Sequence, residues 1–128
     1  MDQISNMLIK IKNASRANHD TVVFPYSKLK LSIAECLEKE GFIRNVTKKT
    51  EKGLPVIEVE LIYTNDEPRI HDVTRVSKSS RRMYMGVKEI KPIKHGRGKV
   101  ILSTPKGILT DVNAKKEMVG GEILLSIW

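Results

Sequence analysis

The sequence predicts an α+β protein of two small lobes: an N-terminal α-β-α-β-β arrangement over residues 1–65, and a mostly antiparallel β lobe with one short helix over residues 66–128. Three observations predict it. Apolar residues recur at helical spacing in two N-terminal segments, and elsewhere they alternate or cluster in short β-branched runs. Near residue 66 a run of turn-formers ending in proline interrupts the pattern, which marks a boundary between lobes. The third observation is length: 128 residues, 40% of them apolar and spread along the whole chain, suit one compact body pinched in two rather than a domain with a separate catalytic partner.

With Asp2 as N-cap, Ile4, Met7, Leu8 and Ile11 fall at i, i+3, i+4 and i+7, the stripe of an amphipathic helix. At about 100° per residue, Lys12 and Arg16 share one flank of that stripe and Lys10 takes the other, so the helix can bury one face and offer cations beside it. Thr21-Val22-Val23-Phe24 is a short strand stopped by Pro25. Ser27 then caps a second helix that Gly41 ends, with Leu29, Ile33, Cys36 and Leu37 on its inner stripe. That placement makes Cys36 a core residue rather than a reactive thiol. Residues 42–47 and 56–63 read as strands joined by the polar loop 48–53.

Beyond Thr64-Asn65-Asp66-Glu67-Pro68, residues 70–76 and 81–85 are strand-like and separated by the turn Lys78-Ser79-Ser80. Lys94-His95-Gly96-Arg97-Gly98-Lys99 is a basic, glycine-containing loop, followed by the buried strand Val100-Ile101-Leu102 and the polar stretch Ser103-Thr104-Pro105-Lys106-Gly107. Thr110 and Asp111 start a short helix that reaches Met118 and stops at Gly120-Gly121, before a last strand, 122–128, packed in the sheet.

Lys and Arg number 23 against 15 Asp and Glu, a formal net charge of +8, which attracts a polyanion but says nothing of chemistry. A single cysteine excludes an intrachain disulfide and fits a reducing compartment. The first residues have neither a basic segment nor a long apolar stretch, so the expectation is a soluble, cytosolic protein. His19, His71 and His95 are scattered and share no metal-ligand spacing, Ser103 lacks a nucleophile elbow, and no phosphate-binding glycine loop is present. Glu58 and Glu60, at i and i+2 on a strand, describe one solvent-facing row. The reading is therefore no enzyme, no metal and no cofactor.

Binding has better candidates. Ser103 and Thr104 offer small hydroxyls that donate and accept, Lys106 adds a cation, and Gly107 with Gly120-Gly121 permits close backbone approach, a set suited to ribose and base edges in a shallow groove. The same stretch also reads as a capped loop before a helix. Aromatic residues, at 5%, are too sparse for a single-strand stacking platform, although Tyr84 beside Arg81 and Arg82 could stack on one base. Arg81 and Arg82 adjoin on a presumed strand, so one of them is expected to reach phosphate. A sequence-tolerant DNA- or RNA-binding regulator is the rival binding reading. A small hydrolase or nuclease would need a cluster that assembles only in three dimensions.

Ser103-Thr104-Pro105-Lys106-Gly107-Ile108-Leu109-Thr110-Asp111, Ala114, Val119-Gly120-Gly121-Glu122 and Trp128 resemble the bacterial-type small-subunit ribosomal protein eight family. The resemblance extends to Asp2, Ile4 and Met7-Leu8-Ile9-Lys10-Ile11-Lys12-Asn13-Ala14, and to Arg75-Val76-Ser77-Lys78, so it covers essentially the whole chain. It implies a two-lobed, non-catalytic protein that binds the central domain of small-subunit ribosomal RNA early in assembly, mainly through its C-terminal lobe. The implied partners are that RNA, neighbouring small-subunit proteins and the protein's own messenger RNA. The implied location is a cytoplasmic ribosome, with an organellar one left open. Carried over, the RNA-contacting loop lands on Ser103, Thr104, Lys106 and Gly107, with Gly120, Gly121 and Glu122 beside it and Tyr84 in support, while Lys12 on the first helix touches a second RNA segment.

The chain departs from the family pattern at Pro105, where a serine is usual, which removes a hydroxyl and a backbone N–H. The turn Lys78-Ser79-Ser80 replaces Lys-Pro-Gly, and residues 94–99 are more basic than the usual Asn-Gly-Leu-Gly. Arg97 and Lys99 are expected to offset the lost contact through phosphate.

Overall fold

A computed structural model describes residues 3–78, 80–89 and 98–128, so the expectations for Asp2, Ser79 and residues 90–97, Arg97 among them, lie outside the described residues. The chain divides into two units, Gln3–His71 and Asp72–Trp128. The architecture is α+β, as the sequence patterns predict.

In the first unit, helix α1 (Gln3–Arg16) buries Ile4, Met7, Leu8, Ile11 and Ala14. The i, i+3, i+4, i+7 stripe is thus its inner face. Strand β1 (Thr21–Pro25) leads to α2 (Lys28–Lys39), where the Ser27 hydroxyl accepts from the Lys30 N–H at 3.1 Å as the predicted N-cap. At the other end Gly41, with φ +79°, donates to Glu38 and Phe42 donates to Leu37, so a left-handed glycine closes the helix and turns Phe42 into the core beside Leu37. One expectation is corrected here. Leu29 is 42% exposed while Lys30 is 5% exposed, because the buried stripe runs through Ile33, Ala34, Cys36 and Leu37, and only Lys30 stands one turn back from both Ile33 and Ala34. Cys36 is buried, and desolvation, with Glu40 adding to it, pushes its thiol up to about 11, consistent with the core reading.

Strands β2 (Ile43–Glu51) and β3 (Leu54–Leu61) form an antiparallel hairpin, and β1 pairs the other edge of β3 to give the order β1-β3-β2. Ile57, Val59 and Leu61 alternate into the core. The expected polar loop at 48–53 is corrected: Lys48 to Glu51 pair with Ile57 to Leu54, and only Lys52-Gly53 turn. The ladder continues through these polar residues because cross-strand charges support it; Lys49 pairs with Glu58 at 2.8 Å. Two residues further, Glu60 accepts from Asn45 at 2.6 Å and Arg44 at 2.8 Å across a bulge. Those two hydrogen bonds, Asn45 first, hold the Glu60 carboxyl below its ordinary range. Glu58 and Glu60 therefore make a row of ion pairs. Strands β4 (Tyr63–Thr64) and β5 (Glu67–Pro68) then fold residues 63–68 into a small hairpin of this same unit.

The second unit is an antiparallel sheet built on its last strand. Strands β6 (Val73–Arg75), β7 (Tyr84–Met85), β8 (Lys99–Thr104), β9 (Gly107–Thr110) and β10 (Gly121–Ile127) are ordered β6-β10-β8-β9, with β7 also on β10. The expected strand segments at 70–76 and 81–85 are shorter than predicted, since Lys78 and Arg81 pair across a turn and the Met83 N–H is bonded by the Ser77 hydroxyl instead of a strand carbonyl. A register shift between Ile123 and Leu125 leaves the Leu124 carbonyl to the Val76 N–H and the Arg75 guanidinium.

Helix α3 (Asp111–Lys116) starts at Thr110, whose hydroxyl accepts from Asn113 N–H at 3.2 Å, as predicted. Its end is corrected. The helix stops because Met118 takes a left-handed conformation, with Met118 N–H on Lys115 and Val119 N–H on Ala114, so Gly120-Gly121 do not terminate it. Ala114 packs with Val100 and Leu102, flanked by Met85, Leu109, Val119 and Ile123, which covers one face of the sheet.

Ser77 is completely buried, and its hydroxyl accepts from Met83 N–H at 2.7 Å and donates to Met83 C=O at 3.1 Å. Ser77→Ala leaves the Met83 N–H without a partner, while the Met83 carbonyl keeps the Ile123 N–H at 2.8 Å, and is expected to cost about 1–3 kcal/mol, read as a lowered denaturation midpoint with unchanged slope. An unaltered midpoint would show that the buried bridge contributes nothing.

Candidate nucleic-acid interface

The register of the second unit lines up the residues singled out from sequence. Glu122 stands opposite Tyr84 on β7 and opposite Ser103 on β8, and Ser103 stands opposite Ile108 on β9. Directly opposed residues of antiparallel strands project to one side, so Tyr84, Glu122, Ser103 and Ile108 form a row on one face. Their neighbours Met85, Ile123, Leu102 and Leu109 alternate onto the other face and pack against Ala114 of α3. The helix that covers one face is what leaves the row on the other.

Two glycines set the spacing of this row. A Cβ at Gly121 would overlap the Ser103 carbonyl and lie 3.1 Å from Thr104 Cα, while one at Gly120 would overlap the Met85 carbonyl and lie 2.9 Å from Gly86 Cα. Neither position is needed for an unusual backbone conformation; both are needed for close approach of β7 and β8 to the start of β10. The sequence reading put the glycines beside the loop, and the structure assigns them this packing.

The hydroxyls differ. Thr104 Oγ1 donates to the Gly107 carbonyl at 2.8 Å and accepts from the Lys106 N–H at 3.2 Å, so it builds the turn that carries Lys106. Gly107, at φ +117°, returns the chain into β9 in a conformation that suits glycine. The stretch 103–107 is thus a strand end and hairpin turn, correcting the reading of a loop that precedes a helix directly. Ser103, by contrast, is partly exposed and its hydroxyl has no partner among the described residues. It is the hydroxyl open to a ligand.

Charge is arranged in pairs. Arg82 Nη1 meets Glu122 Oε2 at 2.9 Å, which neutralises the carboxylate in the row. Lys106 Nζ donates to the Glu117 carbonyl at 3.3 Å and to its carboxylate at 3.2 Å, so the C-terminal end of α3 orients this cation beside the turn. Sequence reasoning missed Glu117 and Ser77 as positioning residues, Ser77 carrying a signal inside Arg75-Val76-Ser77-Lys78, and it read Arg82 with Arg81 as a phosphate contact where the structure pairs Arg82 with Glu122. Tyr84 is 66% exposed and offers a free ring face.

Not every expected residue joins this cluster. Lys99 opens β8 opposite Ile127, four residues and about 13 Å along the strand from Ser103. Arg97 lies outside the described residues. Lys12 belongs to α1 of the first unit, half-buried. Among the described residues, no three His, Cys, Asp or Glu side chains converge as metal ligands.

The model of the family described as Ribosomal protein S8 matches residues 2–128. The chain is similar to the small ribosomal subunit protein uS8 of Ruegeria pomeroyi, 44% identical over 128 residues, covering 99% of this chain and 98% of that one. It is similar also to the proteins of the same description from Novosphingobium aromaticivorans, 42% identical over 127 residues, and Caulobacter vibrioides, 42% identical over 128 residues; each comparison covers 99% of this chain and 97% of the relative.

Gly121→Ala must push β8 and β10 apart and is expected to destabilise the chain by about 1–3 kcal/mol, although alanine suits the backbone conformation. Thermal unfolding compared with a Gly53→Ala control, where a Cβ meets nothing within 4 Å but φ is +78°, separates crowding from conformational strain. Equal losses would count against close approach as the reason for Gly121.

Proposed function

The chain belongs to the ribosomal protein S8 family, a structural and non-enzymatic component of the small ribosomal subunit, and on that premise we propose that it binds the central domain of small-subunit ribosomal RNA directly and supports subunit assembly. The observation that carries this reading is the row Tyr84–Glu122–Ser103 beside the Lys106 turn. A shallow groove displaying 2′-hydroxyls and base edges suits short polar side chains held on a rigid sheet. Ser103 supplies an open hydroxyl, Glu122 accepts from ribose or amino groups, Tyr84 supplies a flat apolar face, and Lys106 supplies salt-dependent attraction to phosphate. Binding of this kind stabilises one local RNA fold. Ribosomal RNA and neighbouring small-subunit proteins are the partners, and the ribosome of the cytoplasm is the proposed location. No helix among the described residues is long and apolar enough to cross a membrane.

Pro105 stands at the tip of the turn, between Thr104 and Lys106, where it offers neither hydroxyl nor N–H. Any offset from Lys99 acts on a more distant phosphate, given its place at the other end of β8. A sequence-tolerant regulator is disfavoured by a row in which one cation neutralises a carboxylate, since charge-driven binding gains nothing from Glu122.

The test is a titration of the purified chain against a central-domain RNA fragment and a scrambled duplex of equal length across a salt series. Selective binding is expected. Lys106→Ala should weaken it and lower the salt slope by about 1. Thr104→Ala should weaken and blur selectivity by loosening the turn, with Thr104→Ser retaining both. Equal, steeply salt-dependent binding to both RNAs would overturn the proposal.

A further inference from the structure

The first unit contains a cavity of ≈ 250 Å³ between α1 and the segment joining β1 to α2, lined by Gln3, Asn6, Lys10, Pro25, Tyr26 and Lys30 among others. Lys30 is 5% exposed as a residue, its stem covered, while its ammonium pairs with no described residue and so keeps contact with solvent, since no buried side-chain nitrogen lacks a partner. Among the described residues, no carboxylate lines the space. Burial and, after it, the nearby charge of Lys10 lower the Lys30 pKa, and the two cations line the same space. A third ammonium, of Lys48, lies 4.1 Å from the centroid of the Tyr26 ring.

Two lysines lining one space, with no carboxylate beside them among the described residues, repel each other, and an anion held between them removes that repulsion. The rest of the lining narrows its chemistry. Gln3 and Asn6 bring carboxamide N–H donors, and the Tyr26 ring with Pro25 brings a flat apolar wall. The volume falls just below the range of about 300–1,000 Å³ typical of pockets for drug-sized ligands, room for a single nucleotide unit or part of one. We infer that this cavity is a seat for a phosphorylated sugar, with the phosphate between Lys10 and Lys30 and the sugar against Tyr26 and Pro25. A phosphate on a sugar comes either from an RNA strand or from a free nucleotide; the first source rests on the RNA-binding reading above, and the second does not. The seat lies on the same helix as Lys12 but uses the other flank.

Adenosine 5′-monophosphate and adenosine, titrated separately into the isotopically labelled full chain and followed by amide NMR shifts, test the seat. The phosphate-bearing probe is expected to shift Gln3, Asn6, Lys10, Tyr26 and Lys30, and adenosine is not. Lys30→Gln should weaken that binding about tenfold, the loss of one charge-assisted contact. The same variant should unfold at an equal or higher temperature without ligand, since it relieves the repulsion between Lys30 and Lys10; Lys10→Gln serves as a second variant. If Lys30→Gln also lowers affinity for the central-domain RNA fragment, with or without a response to the small probe, the strand backbone is the occupant. If only the mononucleotide response is lost, the occupant is a free nucleotide. No response to the nucleotide together with unchanged RNA affinity overturns the inference, as does a response equal to that of adenosine or one that survives in both variants. Failure of the wild-type chain to bind the RNA would sink the RNA reading alone, since the nucleotide titration stands apart from it.

Discussion

Strand β10 is bonded along both edges, to β6 and β7 on one and to β8 on the other, and at its start the three backbones come so close that no side chain fits. The second unit depends on that constraint. With Gly121 against the Ser103 carbonyl, Glu122 is brought between Ser103 and Tyr84, and the three side chains share one face. Further along, the same strand cannot keep both edges in register without releasing one residue. The bulge at Leu124 does so, and its free carbonyl is taken up by Val76 and Arg75. The spacing of the proposed interface is therefore a property of backbone packing, and the hydroxyl, carboxylate and ring are presented by it.

Cations are sorted by the carboxylates near them. Arg44 and Lys49 are held by Glu60 and Glu58, Arg82 by Glu122, and Lys106 by Glu117. Exposed pairs of this kind add little to stability. What they supply is orientation: a lysine leaning on the end of α3 presents its charge beside the hairpin turn instead of sampling solvent. Among the described residues, no carboxylate holds Lys10 or Lys30, which distinguishes the cavity of the first unit from those paired cations.

The local patterns were legible where neighbouring residues in the chain decide the structure. The stripe of α1, the Ser27 and Thr110 caps, the Gly41 stop and the alternation of Ile57, Val59 and Leu61 each follow from spacing within one element. Reading failed where a partner strand overrode composition. Lys48 to Glu51 look like a loop, yet they pair with β3 because the ladder and the Lys49–Glu58 contact satisfy them. Leu29 looks like core, yet the helix is rolled so that Lys30 lies inward. At the candidate site the residues Ser103, Thr104, Gly121 and Glu122 could be named from their pattern, but their tasks could not. Thr104 is bound into the turn and Ser103 is the open hydroxyl, a difference of partners that adjacent, chemically similar residues do not reveal.

By itself the sequence determined the element types, the apolar faces of the helices, the absence of a disulfide, and the basic balance that favours a polyanion, since each depends on composition or on spacing along the chain. The tertiary structure alone decided which backbone lies against Gly121, which cation each carboxylate holds, and that an unpartnered lysine ends up inside a cavity. Periodicity tells which side of an element is turned inward. It carries no information about what waits there, because that is set by strands and helices distant in sequence meeting at contact distance.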